Sequence, residues 1–155
     1  MKITLLAVGN RMPAWVQQGF AEYQKRIGGR FRLDLVEIPA LRRGKNADIP
    51  RIRQQEEARV LESVPSPGYL IALDRNGAAW TTRCLAQNMG RWLDQGEPVA
   101  LAVGGPEGFS DQFLGVCRET WSLSALTFAH PLVRVILAEQ LYRGFSIVEG
   151  LPYHR

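Results

Sequence analysis

The sequence predicts an α/β protein, a single domain over residues 1–155 built as a three-layer sandwich on a mostly parallel sheet. Three observations carry the prediction. Short apolar runs of strand length alternate with longer segments in which apolar residues recur at helical spacing. Most of the runs are apolar at consecutive positions, the pattern of strands buried on both faces, so helices must cover both sides of the sheet. The joints hold Gly, Pro and side-chain caps where one element stops and the next begins.

Residues 3–8 form the first such run, closed by Gly9. Pro13 suits a first helical turn, and Val16, Phe20, Tyr23 and Ile27 follow at helical spacing before Gly28 and Gly29 end the helix. Phe31, Leu33 and Leu35 alternate with polar neighbours and predict a second strand up to Ile38. After a polar loop at 42–46, Asp48 is placed as the N-cap of a helix reaching about Ser63. Residues 69–74 read as a third strand. Thr82 is placed as the cap of a third helix with Leu85, Met89, Trp92 and Leu93 on one face and Gly96 at its end. Residues 99–103 read as the fourth strand, and Ser110 caps a short helix through Phe113, Leu114 and Cys117. Residues 121–126 read as a fifth strand or an extended loop, and Pro131 begins the last helix.

A chain of 155 residues, 46% hydrophobic and 22% charged, buries one core without covalent staples. Its apolar runs fall far short of the ~20 residues that span a bilayer. Residues 1–8 resemble a signal peptide in composition but lack a cleavage site, and read as the first strand. Cys84 and Cys117 have no metal-ligand spacing and are expected as small core residues in a reducing cytosol. Trp15, Trp80, Trp92 and Trp121 are expected in the core or an interface. The net charge of +4 mildly favours an anionic partner and by itself decides little.

In open α/β folds ligands bind beyond the carboxyl ends of the strands. Three strand ends here carry suitable loops: Leu73-Asp74, then Gly104-Gly105-Pro106-Glu107-Gly108, then Leu123-Ser124-Ala125-Leu126-Thr127-Phe128. Glycine lets a backbone approach a ligand closely and offers bare N–H and C=O groups. The Gly104 loop reads equally as a tight turn into the next helix. The glycine pattern is not that of a dinucleotide fingerprint, and no P-loop, nucleophile elbow or zinc signature is present. His130 precedes Pro131, where its imidazole either caps the helix or faces the loop. Glu139 and Arg143 have the spacing of an ion pair, which leaves open a second role for Arg143. Arg42, Arg43 and Lys45 form a basic loop, either solvated or set to meet phosphates.

The chain resembles the small SPOUT-class methyltransferases of large-subunit ribosomal RNA, the family that methylates N3 of a pseudouridine. The resemblance runs nearly end to end. It is carried by Ala7-Val8-Gly9, Met12-Pro13-Ala14-Trp15-Val16, Arg43-Gly44-Lys45-Asn46-Ala47-Asp48-Ile49, the Gly104 loop, residues 121–127 and 130–134, Leu141-Tyr142-Arg143 and the ending Pro152-Tyr153-His154-Arg155. It is weakest over residues 52–69 and 80–97. It implies a deep C-terminal trefoil knot, involving roughly Val99 to the last helix, against which S-adenosyl-L-methionine binds. The default for protein folds is the absence of knots, so periodicity gives no sign of one.

The resemblance further implies that Leu73, Gly104, Leu123, Ser124, Ala125, Leu126, Thr127 and Phe128 contact the cofactor. His130, Arg143, Tyr153 and His154 are the catalytic candidates it implies, with the tail reaching the active site of the partner subunit in a homodimer. Methyl transfer is an in-line displacement in which N3–H loses its proton, so a cation or donor beside the flanking carbonyl oxygens stabilises the charge. The implied substrate is 23S rRNA within the ribosome, in the cytoplasm, with no membrane and no metal. With no length for a separate RNA-binding module, recognition would fall to the dimer surface and the shape of a folded target. Two other readings stay open: a SPOUT enzyme for a different nucleotide, and a non-catalytic ribosome-associated protein.

Overall fold

Ile3, Leu5 and Ala7 point to one face of the first strand, β1 (Lys2–Val8), and Leu6 and Val8 to the other, and all five are buried. The computed structural model describes residues 1–66 and 68–154. Helix α1 (Ala14–Gln24) follows, with Pro13 at its N-cap, and then β2 (Arg32–Ile38), α2 (Ile49–Glu62) and β3 (Tyr69–Ala79). The remaining elements are α3 (Thr82–Gln95), β4 (Val99–Val103), α4 (Asp111–Val116), β5 (Glu119–Ser122) and α5 (His130–Val148), with a closing 3₁₀ turn at Pro152–His154.

The strands form one sheet in the order β2-β1-β4-β3-β5, and every pairing is parallel. All carboxyl ends therefore leave from the same edge. Phe20 of α1, Leu85, Met89 and Trp92 of α3, and Leu137, Leu141 and Phe145 of α5 join one face of the sheet in a single core. Val60 of α2, Phe113 of α4 and the adjacent Phe109 form the core on the other face. This is the three-layer α/β sandwich that the alternating pattern predicts.

Three elements differ from the sequence reading. The cap of α3 is Thr81, whose Oγ1 accepts from the Cys84 amide at 3.1 Å. The Thr82 hydroxyl instead donates to Gln140 Oε1 at 3.0 Å and ties α3 to α5. The fifth strand stops at Ser122, so residues 123–129 are loop. The third strand runs on to Ala79 through an irregularity: Leu73 and Ala78 both lie opposite Trp121 on β5, so residues 74–77 bulge out between them. Both cysteines are free and only half-buried. Of the four tryptophans, Trp92 and Trp121 are buried, Trp80 stacks on Trp121, and Trp15 is exposed.

Strand β3 starts at Tyr69, whose hydroxyl donates to the Glu119 carboxylate. Burial first, and then that bond, push the Tyr69 phenol up to about 12. The folded chain thus keeps a proton that the unfolded chain loses near the ordinary value of about 10. Stability is fully present below about pH 10 and falls as pH rises towards the folded-state value. Urea unfolding at about pH 9 and about pH 11 is expected to show a lower midpoint at the higher pH. Tyr69→Phe, which has no such proton, is expected to remove part of that slope. A slope unchanged in Tyr69→Phe would contradict the assignment.

Candidate functional site

The bulge within β3 and the carboxyl ends of β4 and β5 converge on a cavity of about 500 Å³, within the range of small-molecule sites. The end of β4 and the turn after it supply Val103 and Gly104, and the segment after β5 supplies Leu123 and Ser124. The turn of residues 104–108 closes through the Gly108 N–H donating to the Gly105 carbonyl at 3.0 Å, with Gly108 in the left-handed region at φ 68°. A Cβ on Gly104 would lie 3.2 Å from the Gly108 carbonyl carbon, so a side chain there would push the loop open by a few tenths of an ångström. In the loop after β5, the Leu126 N–H donates to Ser124 Oγ at 3.0 Å.

The structure brings most of the sequence-predicted residues together. Leu73, Gly104, Leu123, Ser124, Leu126, Thr127, Phe128 and His130 all line this cavity. Ala125 is not among the lining residues: it is exposed at the tip of the turn that Leu126 closes onto Ser124. The walls mix leucines and Phe128 with exposed backbone polar groups, a composition that suits an adenosine joined to an amino-acid tail. The sequence reading passed over Arg75 and Asn76, which line the cavity because residues 74–77 bulge from β3. Asp74 Oδ2 accepts from the Asn76 N–H at 2.9 Å and braces that bulge. The signal for it was the Asp-x-Asn-Gly turn chemistry at the end of an apolar run.

His130 opens α5 with a fixed ring. Its Nε2 lies 2.7 Å from the Val8 carbonyl oxygen. A carbonyl only accepts, so Nε2 carries a proton, and in the neutral imidazole the lone pair lies on Nδ1. One turn along, Arg134 is 1% exposed, pairs with Glu37 at 2.7 Å and donates to the Gly9 carbonyl. Two neighbouring turns of α5 therefore grip the end of β1, and the position of His130 beside the cavity follows from that grip.

The basic loop divides. Arg42 and Lys45 are exposed, whereas Arg43 is partly buried and paired with two carboxylates. Its Nη2 lies 2.6 Å from Glu56 Oε1 on α2 and 2.8 Å from Glu107 Oε2 in the glycine-rich loop. A phosphate-binding role for Arg43 is displaced by these two carboxylates. The pairing holds the Glu107 carboxyl below its usual range, chiefly through the hydrogen bonds from Arg43.

Arg143, Tyr153 and His154 lie elsewhere. Arg143 stands thirteen helical steps after His130, about 20 Å along α5. Glu139 Oε1 accepts from Arg143 Nη2 at 2.6 Å and from the Tyr153 hydroxyl at 3.3 Å. The Arg143 guanidinium sits 5.0 Å from the Tyr153 ring centre, and the Tyr142 ring is 4.5 Å from that of Tyr153. Burial first, with the neighbouring Tyr23 and Glu139, pushes the Tyr153 phenol up to about 12, so it stays a neutral donor. His154 Nδ1 donates to the Leu151 carbonyl at 2.9 Å. Arg155 lies outside the described residues.

Among the described residues no cluster of His, Cys, Asp and Glu forms a metal site, and no helix is long and apolar enough to cross a membrane. A family model described as "Predicted SPOUT methyltransferase" matches residues 1–154. The chain is 51% identical over 155 residues to the ribosomal RNA large subunit methyltransferase H of Thioalkalivibrio sulfidiphilus, covering all of this chain and 99% of the relative. It is 50% identical over the same length to the protein of that name from Hahella chejuensis, again covering 99% of the relative. A methylase family protein from Haemophilus influenzae Rd KW20 shares the fold, with a TM-score of 0.60 at 11% identity over 99% of this chain and 70% of the other. From its parallel sheet and carboxyl-edge cavity to its match over nearly the whole length, the chain belongs to the SPOUT methyltransferases, enzymes whose methyl donor is S-adenosyl-L-methionine.

Proposed function

We propose that this chain methylates N3 of a pseudouridine in 23S rRNA, acting in the cytoplasm on the assembled ribosome as a homodimer, with residues from about 99 onward threaded in a trefoil knot. The observation that carries the reading is the convergence of Leu73, Gly104, the 123–128 loop and His130 on one cavity of cofactor size. Full-length identity of about half to relatives named for large-subunit rRNA methylation supports the substrate class.

In this reading S-adenosyl-L-methionine supplies a sulfonium methyl group to the cavity, positioned for an in-line displacement. Leu73, Leu126 and Phe128 exclude water from the adenosine, and backbone groups of Gly104 and of Leu123, Ser124 and Thr127 meet its polar atoms. His130 Nδ1, its tautomer held by the Val8 carbonyl, accepts the N3 proton directly or through a water. Charge then develops on the base carbonyl oxygens and calls for a cation beside them.

Arg143 is the cation suited to that role, and about 20 Å of helix separates it from the cavity of its own chain. A second copy with α5 running antiparallel brings each tail to the other's cavity, and a two-fold axis does so for both sites at once. Glu139 then holds Arg143 and Tyr153 ready, with the tyrosine ring presented for stacking on an extruded base and His154 beside it.

The test uses purified protein, methyl-labelled S-adenosyl-L-methionine, and ribosomes or free rRNA from cells lacking this gene. Label is expected in N3-methylpseudouridine, preferentially from intact ribosomes. Label in another nucleoside would assign a different target. Cofactor binding with no label in any RNA would point to a non-catalytic ribosome-associated protein.

A further inference from the structure

We infer that Arg43 is a positioning residue that holds the glycine-rich loop of residues 104–108 in the shape that receives the cofactor. The inference rests on the reading of the carboxyl-edge cavity as the S-adenosyl-L-methionine site.

The guanidinium binds both carboxylates in two-pronged fashion. Nη1 and Nη2 donate to Glu56 Oε2 and Oε1 at 2.9 and 2.6 Å, while Nε and Nη2 donate to Glu107 Oε1 and Oε2 at 2.9 and 2.8 Å. Nη1 also donates to the Leu41 carbonyl at 2.9 Å, and the Leu41 amide donates to Glu56 Oε2 at 2.8 Å. The cation is thereby fixed in its own loop and to α2 before it reaches the cavity loop. Planar pairing of this kind sets direction as well as distance, which a lysine ammonium does not.

The anchor is firm at one end and functional at the other. Glu56 is 2% exposed, so its charge is tolerable only while Arg43 and the Leu41 amide meet it. Glu107 belongs to the loop that walls the cavity. The guanidinium also lies against the loop backbone, since a Cβ on Gly105 would come within 3.1 Å of Arg43 Nη2. A second tether from the next residue of α2 secures the downstream side: Glu57 accepts from the Ser110 amide at 2.6 Å and from its hydroxyl at 2.8 Å. Adjacent buried glutamates of one helix thus pin the loop on both flanks. Without Arg43, Glu56 and Glu107 face each other unneutralised, and the loop moves away from α2. None of these groups needs to touch the cofactor; they act through Gly104 and Gly105.

The experiment measures KM for S-adenosyl-L-methionine, KM for ribosomes and kcat in Arg43→Lys, with cofactor affinity by calorimetry. KM and Kd for the cofactor are expected to rise roughly tenfold together, with ribosome KM unchanged and kcat within about threefold. A role in folding alone would lower the active fraction, and so kcat, while leaving cofactor KM where it was. That outcome, or no change, overturns the inference. Glu107→Gln, which keeps the loop intact and removes one charge-assisted pair, is the second variant and is expected to raise cofactor KM in the same direction. If the wild-type chain itself binds no S-adenosyl-L-methionine, the reading of the cavity fails first.

Discussion

Removing Tyr153, His154 and Arg155 is expected to lower methyl transfer by about a hundredfold or more while leaving cofactor affinity nearly intact. The described tail packs against the far half of α5, where Tyr153 meets Glu139, Tyr142 and Arg143. It contributes no residue to the lining of its own chain's cavity. Calorimetry on the truncated chain should therefore give the wild-type affinity for S-adenosyl-L-methionine. The proposed dimer makes a sharper demand. A truncated chain co-expressed with a full-length chain carrying a cavity substitution such as Gly104→Val should regain activity, because one mixed site combines an intact cavity with an intact tail. In a monomeric enzyme two inactive chains stay inactive. Full activity in the truncated chain would remove the tail from the mechanism, and no complementation would overturn its action across a dimer.

Gly77→Ala is expected to destabilise the fold by about 3 kcal/mol, lowering the melting temperature by roughly 10 °C. A Cβ at this position would lie 2.7 Å from the carbonyl carbon of Thr120 and 2.8 Å from the Trp121 amide nitrogen. These are backbone atoms of β5, which cannot turn aside as a side chain can. The bulge of β3 must then lift from β5 and take Asp74, Arg75 and Asn76 with it, so cofactor affinity should fall as well. The same substitution at Gly90, inside α3 with nothing within 4 Å of its added methyl, should stabilise by about 1 kcal/mol through helix propensity. Thermal unfolding of the two variants decides the matter: equal shifts would mean that the close approach of β3 to β5 is not what residue 77 provides.

Much of the fold was legible along the chain because burial on both faces leaves a local mark. The runs at Leu5-Leu6-Ala7-Val8 and at Val99–Val103 are apolar without interruption, and both are central strands. Asp48 and Ser110 were readable as caps since a cap acts on an amide three residues away. Thr81 was missed in favour of Thr82 because two adjacent threonines offer the same hydroxyl, and only the direction of the chain entering α3 selects between them. The turn residues at 74–77 are local, but that the strand resumes after them depends on the register against Trp121, more than forty residues away.

The candidate site divides along the same line. The cavity residues cluster in three short stretches at strand ends, so the resemblance of those stretches to a known family placed them in advance. The engagement of Arg43 had no local sign, since its partners Glu56 and Glu107 stand 13 and 64 residues away. What the sequence by itself determined was the set of elements, most of their caps, the layers they build and the loops that line the cavity, because period, burial and turn preference act within a few residues. Only the tertiary structure decided which charges are free and which are internal, which His130 nitrogen keeps its lone pair, and that Arg143 and Tyr153 stand a helix length from the cavity. Those outcomes depend on contacts between residues far apart in the chain, whose energies exist only once the sheet has brought them together.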